Sequence, residues 1–414
     1  MNIIIVSGIS GINKSQFIEN FITKAGIKDK SQVIKFETEL TNQDRRMPSI
    51  IPPASVTSFL EQESSSDKVT TIEKTFSWIA NNITIGKNVE YVFLNVHITY
   101  YKKTEYFPPL NPTNFIEWID NIDPNANVKI INLIDDVFNI WQVLKDKEKQ
   151  YPNTKLTLRE ILGWRSLETL QSESLAYSIA APGAGKKLAK AYMVSVRHPL
   201  STFKNLILPY TPISVYLSYA ISKTRNSPKD IKQINQFREK MHELGKKHDV
   251  TIFDPVTIDE LILKQASKQK GSTVTLNKSL RWPLNYANIL VEENNSVVKL
   301  TKTEIKNSMD YIKHQVKSRD LKLVEQAALL VVYRPFFNGP STGAKAEIDH
   351  AKDKGNDMCI YSPTIDKIPS SDNPFDNIIT PIRSKEKFYQ KIEEKLIALK
   401  KANNKSTNSG GSGN

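Results

Sequence analysis

Cysteine is nearly absent from the 414-residue chain, which contains only Cys359. One thiol can form neither an internal disulfide nor a multi-cysteine zinc site, so disulfide-rich scaffolds and cysteine-based zinc sites are excluded. Long apolar runs are also missing: none approaches the ~20 residues of a membrane-spanning helix. The apolar run at residues 2–6 is too short for a signal peptide and lacks its basic flank. We therefore expect a cytoplasmic protein without a membrane partner.

Positive charge exceeds negative charge, with 57 Lys and Arg against 44 Asp and Glu and a net charge of +13. Most of the excess lies in residues 211–414, where lysines are spread along a predicted helix such as 228–248. This spacing is typical of a solvated helix face, and no nucleic-acid-binding motif accompanies it. We expect nucleotide or nucleoside small molecules as partners. Nucleic acid is the less favoured alternative. Whether the chain forms a homo-oligomer stays an open question.

Short apolar runs with β-branched or aromatic residues alternate with amphipathic stretches, which predicts parallel sheets covered by helices. The predicted strands are 3–6, 33–36, 91–96, 128–134, 191–196, 215–219, 250–253, 328–333 and 358–361. The predicted helices are 14–23, 69–81, 136–149, 158–178, 228–248, 302–317 and 385–400. Length and pattern together predict two three-layer α/β domains with mainly parallel sheets.

Pro209 and Pro212 follow the first set of strands and mark the change of domain. We place the first domain at residues 1–205 and the second at 206–400. The tail at 401–414 has no aromatic or branched aliphatic residue, so we expect it to be disordered.

A phosphate-loop pattern, Gly8-Ile9-Ser10-Gly11-Ile12-Asn13-Lys14-Ser15, lies between the first predicted strand and helix. In this context backbone N–H groups can bind phosphate oxygens, Lys14 can reach the outer phosphates, and Ser15 can ligate Mg²⁺. Asn13 stands where the GxxxxGK[ST] pattern has glycine, although asparagine tolerates left-handed backbone better than most residues. We predict a site for ATP or GTP with Mg²⁺. An ordinary strand–turn–helix junction is the alternative.

The loop resembles that of the adenylate kinase-like P-loop nucleotide kinases, whose pattern is GxPGxGK[ST], and the resemblance covers roughly residues 1–200. Asn95-Val96-His97 lies at a strand end where this family commonly has Asp-Thr-His. The resemblance implies nucleotide binding by Gly8, Gly11, Asn13, Lys14 and Ser15. Because the loop glycine and the strand-end aspartate are both replaced, it also implies slow phosphoryl transfer.

Residues 156–168 resemble the lid region of the same family, which implies that Arg159 and Arg165 bind phosphate. Six residues separate the two arginines, so they do not share one face of a continuous helix. Surface ion pairs with Glu160 or Glu168 are the alternative.

Three further polar groups at predicted strand ends have two interpretations each. The Asp135-Asp136 pair can assist a metal or favour a helix start. His97 and His198 can act in a site or serve as hydrogen-bonded structural histidines.

In the second half, the predicted strand at 328–333 leads into a loop rich in Gly and Pro, and Glu347 follows about one turn into a helix. The carboxyl ends of parallel strands are where such sheets bind ligands. A carboxylate held there can attack or stabilise a sugar anomeric carbon while its bond to a base breaks. The alternative role is helix N-terminal charge compensation, worth ~0.3–1 kcal/mol.

This segment resembles the nucleoside 2-deoxyribosyltransferase-like superfamily over roughly residues 213–395. The family pattern is an Asp-x-Gly turn followed four residues later by a nucleophilic glutamate. Gly343 and Glu347 match it, whereas Ser341 replaces the aspartate. Residues 215–222 resemble the family's opening strand and substrate loop, and 253–255 fit the next strand end. The related TIR-type NAD hydrolases, which also use a strand–loop–helix glutamate, are an open alternative.

The resemblance implies a catalytic role for Glu347, with Ser341 and Arg334 beside it. Tyr216, Asp254 and Gly343 are the predicted substrate-binding residues. A guanidinium such as that of Arg334 can pair with a phosphate, and a tyrosine ring can stack on a base, although both residues can also be structural. NAD or a deoxynucleotide is the expected substrate.

The two predicted sites together indicate an enzyme in which a nucleotide-binding P-loop domain is joined to a domain that cleaves or transfers an N-glycosidic bond. The alternative is a catalytically degenerate, nucleotide-responsive binding or scaffold protein, which Asn13, Asn95 and Ser341 would allow.

Overall fold

The computed structural model describes residues 1–42, 53–61, 64–102, 105–107, 111–146, 156–181, 188–209, 211–222, 224–276, 281–284, 288–291, 297–336, 342–363 and 381–409. The chain divides into two compact units. The first contains Met1–Arg197, Ala266–Leu276 and Leu290–Tyr311, and the second contains His198–Gln265, Asn277–Ile289 and Ile312–Asn414.

The strands are β1 (Asn2–Ser7), β2 (Ser31–Lys35), β3 (Tyr91–Asn95), β4 (Tyr100–Lys102), β5 (Glu105–Phe107), β6 (Asn127–Ile134), β7 (Ala189–Ser195), β8 (Ser214–Tyr219), β9 (Thr251–Phe253), β10 (Thr273–Leu276), β11 (Val298–Thr301), β12 (Leu329–Tyr333) and β13 (Asp357–Tyr361). The helices are α1 (Lys14–Ala25), α2 (Phe36–Leu40), α3 (Val56–Glu61), α4 (Ser65–Asn82), α5 (Pro112–Ile122), α6 (Val137–Asp146), α7 (Leu158–Ala180), α8 (Leu200–Ile207), α9 (Pro228–His248), α10 (Ile262–Ala266), α11 (Lys302–Glu325), α12 (Thr342–Asp353) and α13 (Lys385–Ser409).

A five-stranded parallel sheet with the order β2-β3-β1-β6-β7 forms the centre of the first unit. The β1 residues 3–6 are fully buried, as expected for a central parallel strand covered on both faces. After β1 the chain continues to β2, which lies on the β3 side of β1. After β3 the next strand of this sheet is β6, which lies on the opposite side of β1. The strand order therefore reverses between β1 and β3, where open α/β sheets bind ligands.

The second unit has a four-stranded parallel sheet with the order β13-β12-β8-β9. Its strand order reverses between β8 and β12, so the loops that follow these two strands are at the expected ligand position. In the hydrophobic core on one face of this sheet, aromatic rings stack, and the ring centroids of Phe237 and Tyr333 are 4.3 Å apart. Helix α9 begins where the sequence predicts because Ser227 caps it and Pro228 occupies its first turn.

The predicted α/β class with mainly parallel sheets is confirmed, and each predicted strand and helix has a counterpart. Most ends are shifted by a few residues, whereas α11 and α13 continue well beyond their predicted ends at residues 317 and 400. The antiparallel hairpins β4–β5 and β10–β11 were not predicted. Their strands have three or four residues each, which is too short for a clear periodic pattern.

Two predicted boundaries differ from the structure. The first division between the units is at Arg197, not at residue 205, because α8 in the expected connecting segment packs on β9 and α9 of the second unit. Ala266–Leu276 and Leu290–Tyr311, which were expected in the second domain, belong to the first unit. The residues expected to be disordered from 401 onward continue α13 as far as Ser409. Asn403 stabilises this helix by accepting a 2.8 Å hydrogen bond from the Thr211 hydroxyl and donating one of 2.7 Å to the Thr211 carbonyl. Residues 410–414 lie outside the described residues.

Within the described residues, no helix combines the length and apolar character needed to cross a membrane.

Candidate active site

The phosphate-loop segment forms a strand–turn–helix junction in the first unit. Asn13 caps α1, and its side-chain oxygen accepts a 3.2 Å hydrogen bond from the Gln16 N–H. Gly8 and Gly11 have φ values of 146° and 96°, which favour glycine. A Cβ at Gly8 would lie 2.7 Å from the Leu133 carbonyl oxygen, so packing of the sheet also requires this glycine.

Lys14 is buried and makes contacts within the protein. Its ammonium donates to the Gly8 carbonyl at 3.0 Å and lies 2.9 Å from Nε2 of His97. Burial, together with the Lys14 charge, lowers the pKa of His97 to about 4, so its ring is neutral at pH 7. His97 is therefore a structural partner of the loop lysine.

Glu168 places a carboxylate beside the same loop. It is fully buried and accepts hydrogen bonds from the N–H groups of Gly8 at 2.9 Å, of Ile98 at 3.0 Å and of Thr99. Burial raises its pKa, while these donors and Lys14 oppose that rise. The alternative of a surface ion pair with Glu168 is wrong, because Glu168 is fully buried. Glu168 follows the buried Trp164 by four residues and therefore lies on the same helix face, so this spacing could have predicted its burial.

The other predicted phosphate ligands have separate environments. Ser15 accepts a 2.9 Å hydrogen bond from the Asn95 side chain. Arg159 is exposed, with its guanidinium 5.6 Å from the centre of the Tyr311 ring. Arg165 is buried and donates to the Asp135 carbonyl at 3.1 Å. The structure does not bring the two arginines together, because they lie on different faces of the continuous helix α7.

The aspartate pair after β6 has structural contacts. Asp135 accepts hydrogen bonds from the Asp136 N–H at 2.8 Å and from the Asn139 side chain at 3.0 Å. Asp136 forms a buried ion pair with Arg197 at 3.0 Å. Among the described residues, no group of three or more His, Cys, Asp or Glu side chains could hold a metal ion.

A cavity of about 590 Å³ lies in the second unit at the carboxyl end of β8. Its walls come from four segments: 219–222 after β8, 258–261, 313–321 of α11 and the start of α12 at 342–347. This volume lies within the range of small-molecule sites.

Glu347 lines this cavity from the second turn of α12. Its Oε1 accepts a 3.1 Å hydrogen bond from the Tyr216 hydroxyl, and its Oε2 accepts one from the Ser218 hydroxyl. Burial, together with the negative charge of Asp320, raises the pKa of Glu347 to about 8. The carboxyl group is therefore held in a defined orientation and titrates near neutral pH.

An arginine and two further carboxylates surround the buried end of the cavity. Arg319 donates to Oδ1 of Asp320 from Nε at 3.0 Å and from Nη2 at 2.8 Å. Its Nη1 lies 3.6 Å from Oε2 of Glu260, which is fully buried. Burial and the Glu260 charge raise the pKa of Asp320, although Arg319 opposes this effect.

Sequence reasoning missed Ser218 and the Arg319-Asp320 pair. Ser218 follows Tyr216 by two positions in β8, so the strand alternation could have placed both side chains on one face. The predicted helix ended at residue 317, whereas α11 continues to Glu325 and includes the pair.

The structure places the predicted partners of Glu347 differently. Gly343 lines the cavity, whereas Asp254 and Arg334 are buried outside its lining. Burial alone would raise the pKa of Asp254, but Arg238, whose Nε is 2.7 Å away, and His242 outweigh burial and hold it below its usual range. Ser341 lies outside the described residues.

His198 has a structural position. It is fully buried, and its Nε2 accepts a 3.0 Å hydrogen bond from the Asp254 N–H. It therefore orients the chain after β9.

Comparison of the chain with protein-family models and with curated proteins finds no match.

Proposed function

We propose that the second unit cleaves or transfers the N-glycosidic bond of a nucleotide-like substrate, with Glu347 as the nucleophile. The observation that carries this proposal is the Glu347 carboxyl group, which lines a cavity at the strand-order reversal and accepts hydrogen bonds from Tyr216 and Ser218. The resemblance to nucleoside 2-deoxyribosyltransferase-like proteins at Gly343 and Glu347 supports the same chemistry. A glutamate that only stabilised the start of α12 would not need two buried donors.

The reaction consists of two displacements. In the first, an ionised Glu347 oxygen bonds to the anomeric carbon, and the electron pair of the carbon–nitrogen bond goes to the base. A purine or pyrimidine then takes a proton from water, whereas the nicotinamide of NAD leaves as a neutral molecule. In the second, water attacks the same carbon, releases the carboxylate and loses a proton to solvent. The products are the free base and the sugar with a hydroxyl group. A second base in place of water gives transfer instead of hydrolysis.

The residues around Glu347 have distinct roles in this scheme. Tyr216 and Ser218 orient the carboxylate and, as donors, favour its ionised form. Burial and the Asp320 charge favour the protonated form and so raise the pH at which the nucleophile becomes available. Arg319 partly neutralises Asp320.

Chromatography tests the proposal directly. The protein is incubated with NAD, ATP and the four common deoxynucleotides, and free base is measured. We expect base release by the wild type and a loss of at least 1,000-fold in Glu347→Gln, because an amide keeps the shape but is not a nucleophile. Glu394→Gln, which changes an exposed glutamate of α13, is the matched control and keeps wild-type activity. Full activity in Glu347→Gln would remove the proposal.

A second candidate function concerns the first unit, as a nucleotide-responsive binding or scaffold domain with little phosphoryl transfer. The observation that favours little phosphoryl transfer is that groups expected to hold phosphate have partners inside the protein: Gly8 with Glu168, and Lys14 with His97. Thermal shifts with Mg-ATP and Mg-GTP test this role. A saturating ligand at 100-fold its Kd adds ~2.7 kcal/mol of stability. ADP formation at ~1–100 per second would contradict it.

A further inference from the structure

In the first unit, His97 lies between two side chains that favour opposite protonation states of its ring. The Lys14 ammonium nitrogen is 2.9 Å from Nε2 and 3.1 Å from Nδ1. An ammonium group can only donate, so a ring with protons on both nitrogens offers it no acceptor. Oε1 of Glu37 is 3.2 Å from Nε2, where a carboxylate needs an N–H. Lys14 therefore favours the neutral ring and Glu37 the protonated one.

The three residues meet at the carboxyl ends of neighbouring strands. Lys14 begins α1 after β1, His97 follows β3, and Glu37 is in α2 after β2. The cluster thus lies where the strand order reverses between β1 and β3, the expected ligand position of this sheet. Lys14 and His97 are buried, whereas the Glu37 side chain is 39% exposed. Glu37 is therefore the member of the cluster that solvent reaches.

The surrounding charges explain why the ring is neutral. Burial and the Lys14 charge lower the pKa of His97 to about 4, while the Glu37 charge and the Gly8 backbone act in the opposite direction. Withdrawal of the ammonium would remove one of the two effects that lower this pKa.

Two further titratable groups border the cluster. The Tyr100 ring centroid is 5.3 Å from that of His97, and the Tyr100 hydroxyl donates to Oε1 of Glu37 at 3.4 Å. Glu168 of α7 interacts electrostatically with Lys14 and accepts backbone N–H groups from the residues that follow His97. Neither group adds positive charge beside the ring.

We propose that a nucleotide polyphosphate bound by the first unit draws the Lys14 ammonium away from His97, and that the ring then takes up a proton from solvent and pairs with Glu37. This inference rests on the nucleotide-responsive role proposed for the first unit. The Gly8 carbonyl, which accepts from Lys14 at 3.0 Å, can then accept from the second N–H of the ring. Binding is therefore coupled to uptake of at most about one proton.

The sign of the pH dependence follows from this exchange. Removal of the ammonium and arrival of phosphate charge both raise the pKa of His97 in the complex. Because the complex then binds the proton more tightly than the free protein, nucleotide affinity increases as the pH falls. A ring that regained its ordinary pKa of ~6.5 would give about tenfold tighter binding at pH 5.5 than at pH 8. Since the ring stays buried, we expect about threefold to tenfold.

Isothermal titration calorimetry with Mg-ATP and Mg-GTP measures this coupling. Titrations at pH 6 in MES and in bis-Tris give the protons taken up, because the two buffers differ in ionisation enthalpy. Titrations at pH 5.5 and pH 8 give the Kd at each pH. The test variant is His97→Gln, which keeps a hydrogen-bonding group but cannot take up the proton. His314→Gln, which changes an exposed histidine of α11, is the control.

For the wild type and the control, we expect uptake of roughly half a proton or more per nucleotide at pH 6 and the lower Kd at pH 5.5. His97→Gln should lose both effects. Titration of the nucleotide itself contributes equally to all three proteins, so the difference between His97→Gln and the wild type isolates the ring.

NMR of histidine-labelled protein tests the cluster without nucleotide. The chain has six histidines, and the signal missing from His97→Gln identifies His97. Lys14→Met removes the ammonium and keeps a side chain of similar shape, so the pKa of His97 should rise. Lys30→Met, which changes an exposed lysine paired with Glu90, should leave it unchanged.

The outcomes separate this proposal from the role on which it rests. Nucleotide binding without proton uptake, uptake that survives in His97→Gln, or a His97 pKa that is the same in Lys14→Met overturns the coupling and leaves the nucleotide-responsive role standing. Failure of both nucleotides to bind removes that role and the coupling with it.

Discussion

The Tyr216 hydroxyl donates a 3.1 Å hydrogen bond to Oε1 of Glu347, and the two residues are 131 positions apart in the chain. Tyr216 is fully buried in β8, whereas Glu347 belongs to the helix after β12. The contact forms because β8 and β12 are hydrogen-bonded neighbours in the sheet, with Tyr216 opposite Leu330. The strand that precedes Glu347 is β12, and the hydroxyl that binds its carboxyl group comes from the neighbouring strand β8.

The first prediction concerns this hydrogen bond. Tyr216→Phe removes a donor that favours the ionised carboxylate, so kcat/KM for base release should fall ~10- to 100-fold, the value of a hydrogen bond to a charged group. The melting temperature should change little because the ring stays. Tyr361→Phe is the control, since it removes a hydroxyl from β13 outside the cavity lining. Equal activity in the two variants would contradict the role of Tyr216.

The second prediction is the pH dependence of base release. A nucleophile with a pKa of about 8 must lose its proton to react, so kcat/KM should rise about tenfold per pH unit below pH 8 and level off above it. Asp320→Asn removes a negative charge that raises this pKa and should move the whole profile to lower pH. A rate that decreases from pH 6 to pH 9 would instead assign Glu347 the role of an acid.

The third prediction links the same pKa to stability. Glu347 binds its proton more tightly in the folded state, with a pKa of about 8, than in the unfolded state at ~4.3. The unfolding free energy of the wild type therefore falls as pH rises through this interval. Glu347→Gln has no proton to lose, so its melting temperature relative to wild type should increase from pH 5 to pH 9. A difference that is constant with pH would show that the folded pKa is not raised.

The fourth prediction concerns the buried pair formed by Asp254 and Arg238, which are almost fully removed from solvent. Asp254→Ala leaves the guanidinium without its carboxylate and should lower the unfolding free energy by ~3–5 kcal/mol. Lys391→Ala breaks an exposed pair with Glu394 and should cost no more than ~1 kcal/mol. Urea unfolding compares the variants. A small cost for Asp254→Ala, together with lost substrate affinity, would restore the predicted binding role.

The fifth prediction concerns Lys14. Because its ammonium is buried against the Gly8 carbonyl and His97, Lys14→Ala should reduce stability by ~1–3 kcal/mol even without nucleotide. Lys30→Ala, which breaks the exposed pair with Glu90, is the control and should change stability by less than ~1 kcal/mol. Thermal unfolding without ligand measures both. An unchanged melting temperature in Lys14→Ala would indicate a side chain that serves only a bound ligand.

Two residues of the candidate site were predictable from the sequence. Glu347 and Gly343 follow a strand, a loop and a helix start in a recognisable order, and both line the cavity. Their predicted companions Arg334 and Asp254 are also near strand ends, but the residues after a strand end can point into the cavity or into the protein. For Asp254 the deciding factor is Arg238, sixteen residues earlier on α9, with which it forms an ion pair.

The sequence by itself determined the parallel α/β class, the positions of the main strands and helices, and the glutamate one turn into α12. These depend on local periodicity, caps and turn residues, which act between near neighbours in the chain. Only the tertiary structure decided that Glu168 lies against the loop after β1 and that Asp320 lies near Glu347. Such contacts join residues distant in sequence, and their pKa shifts depend on burial and on charges that no local pattern contains.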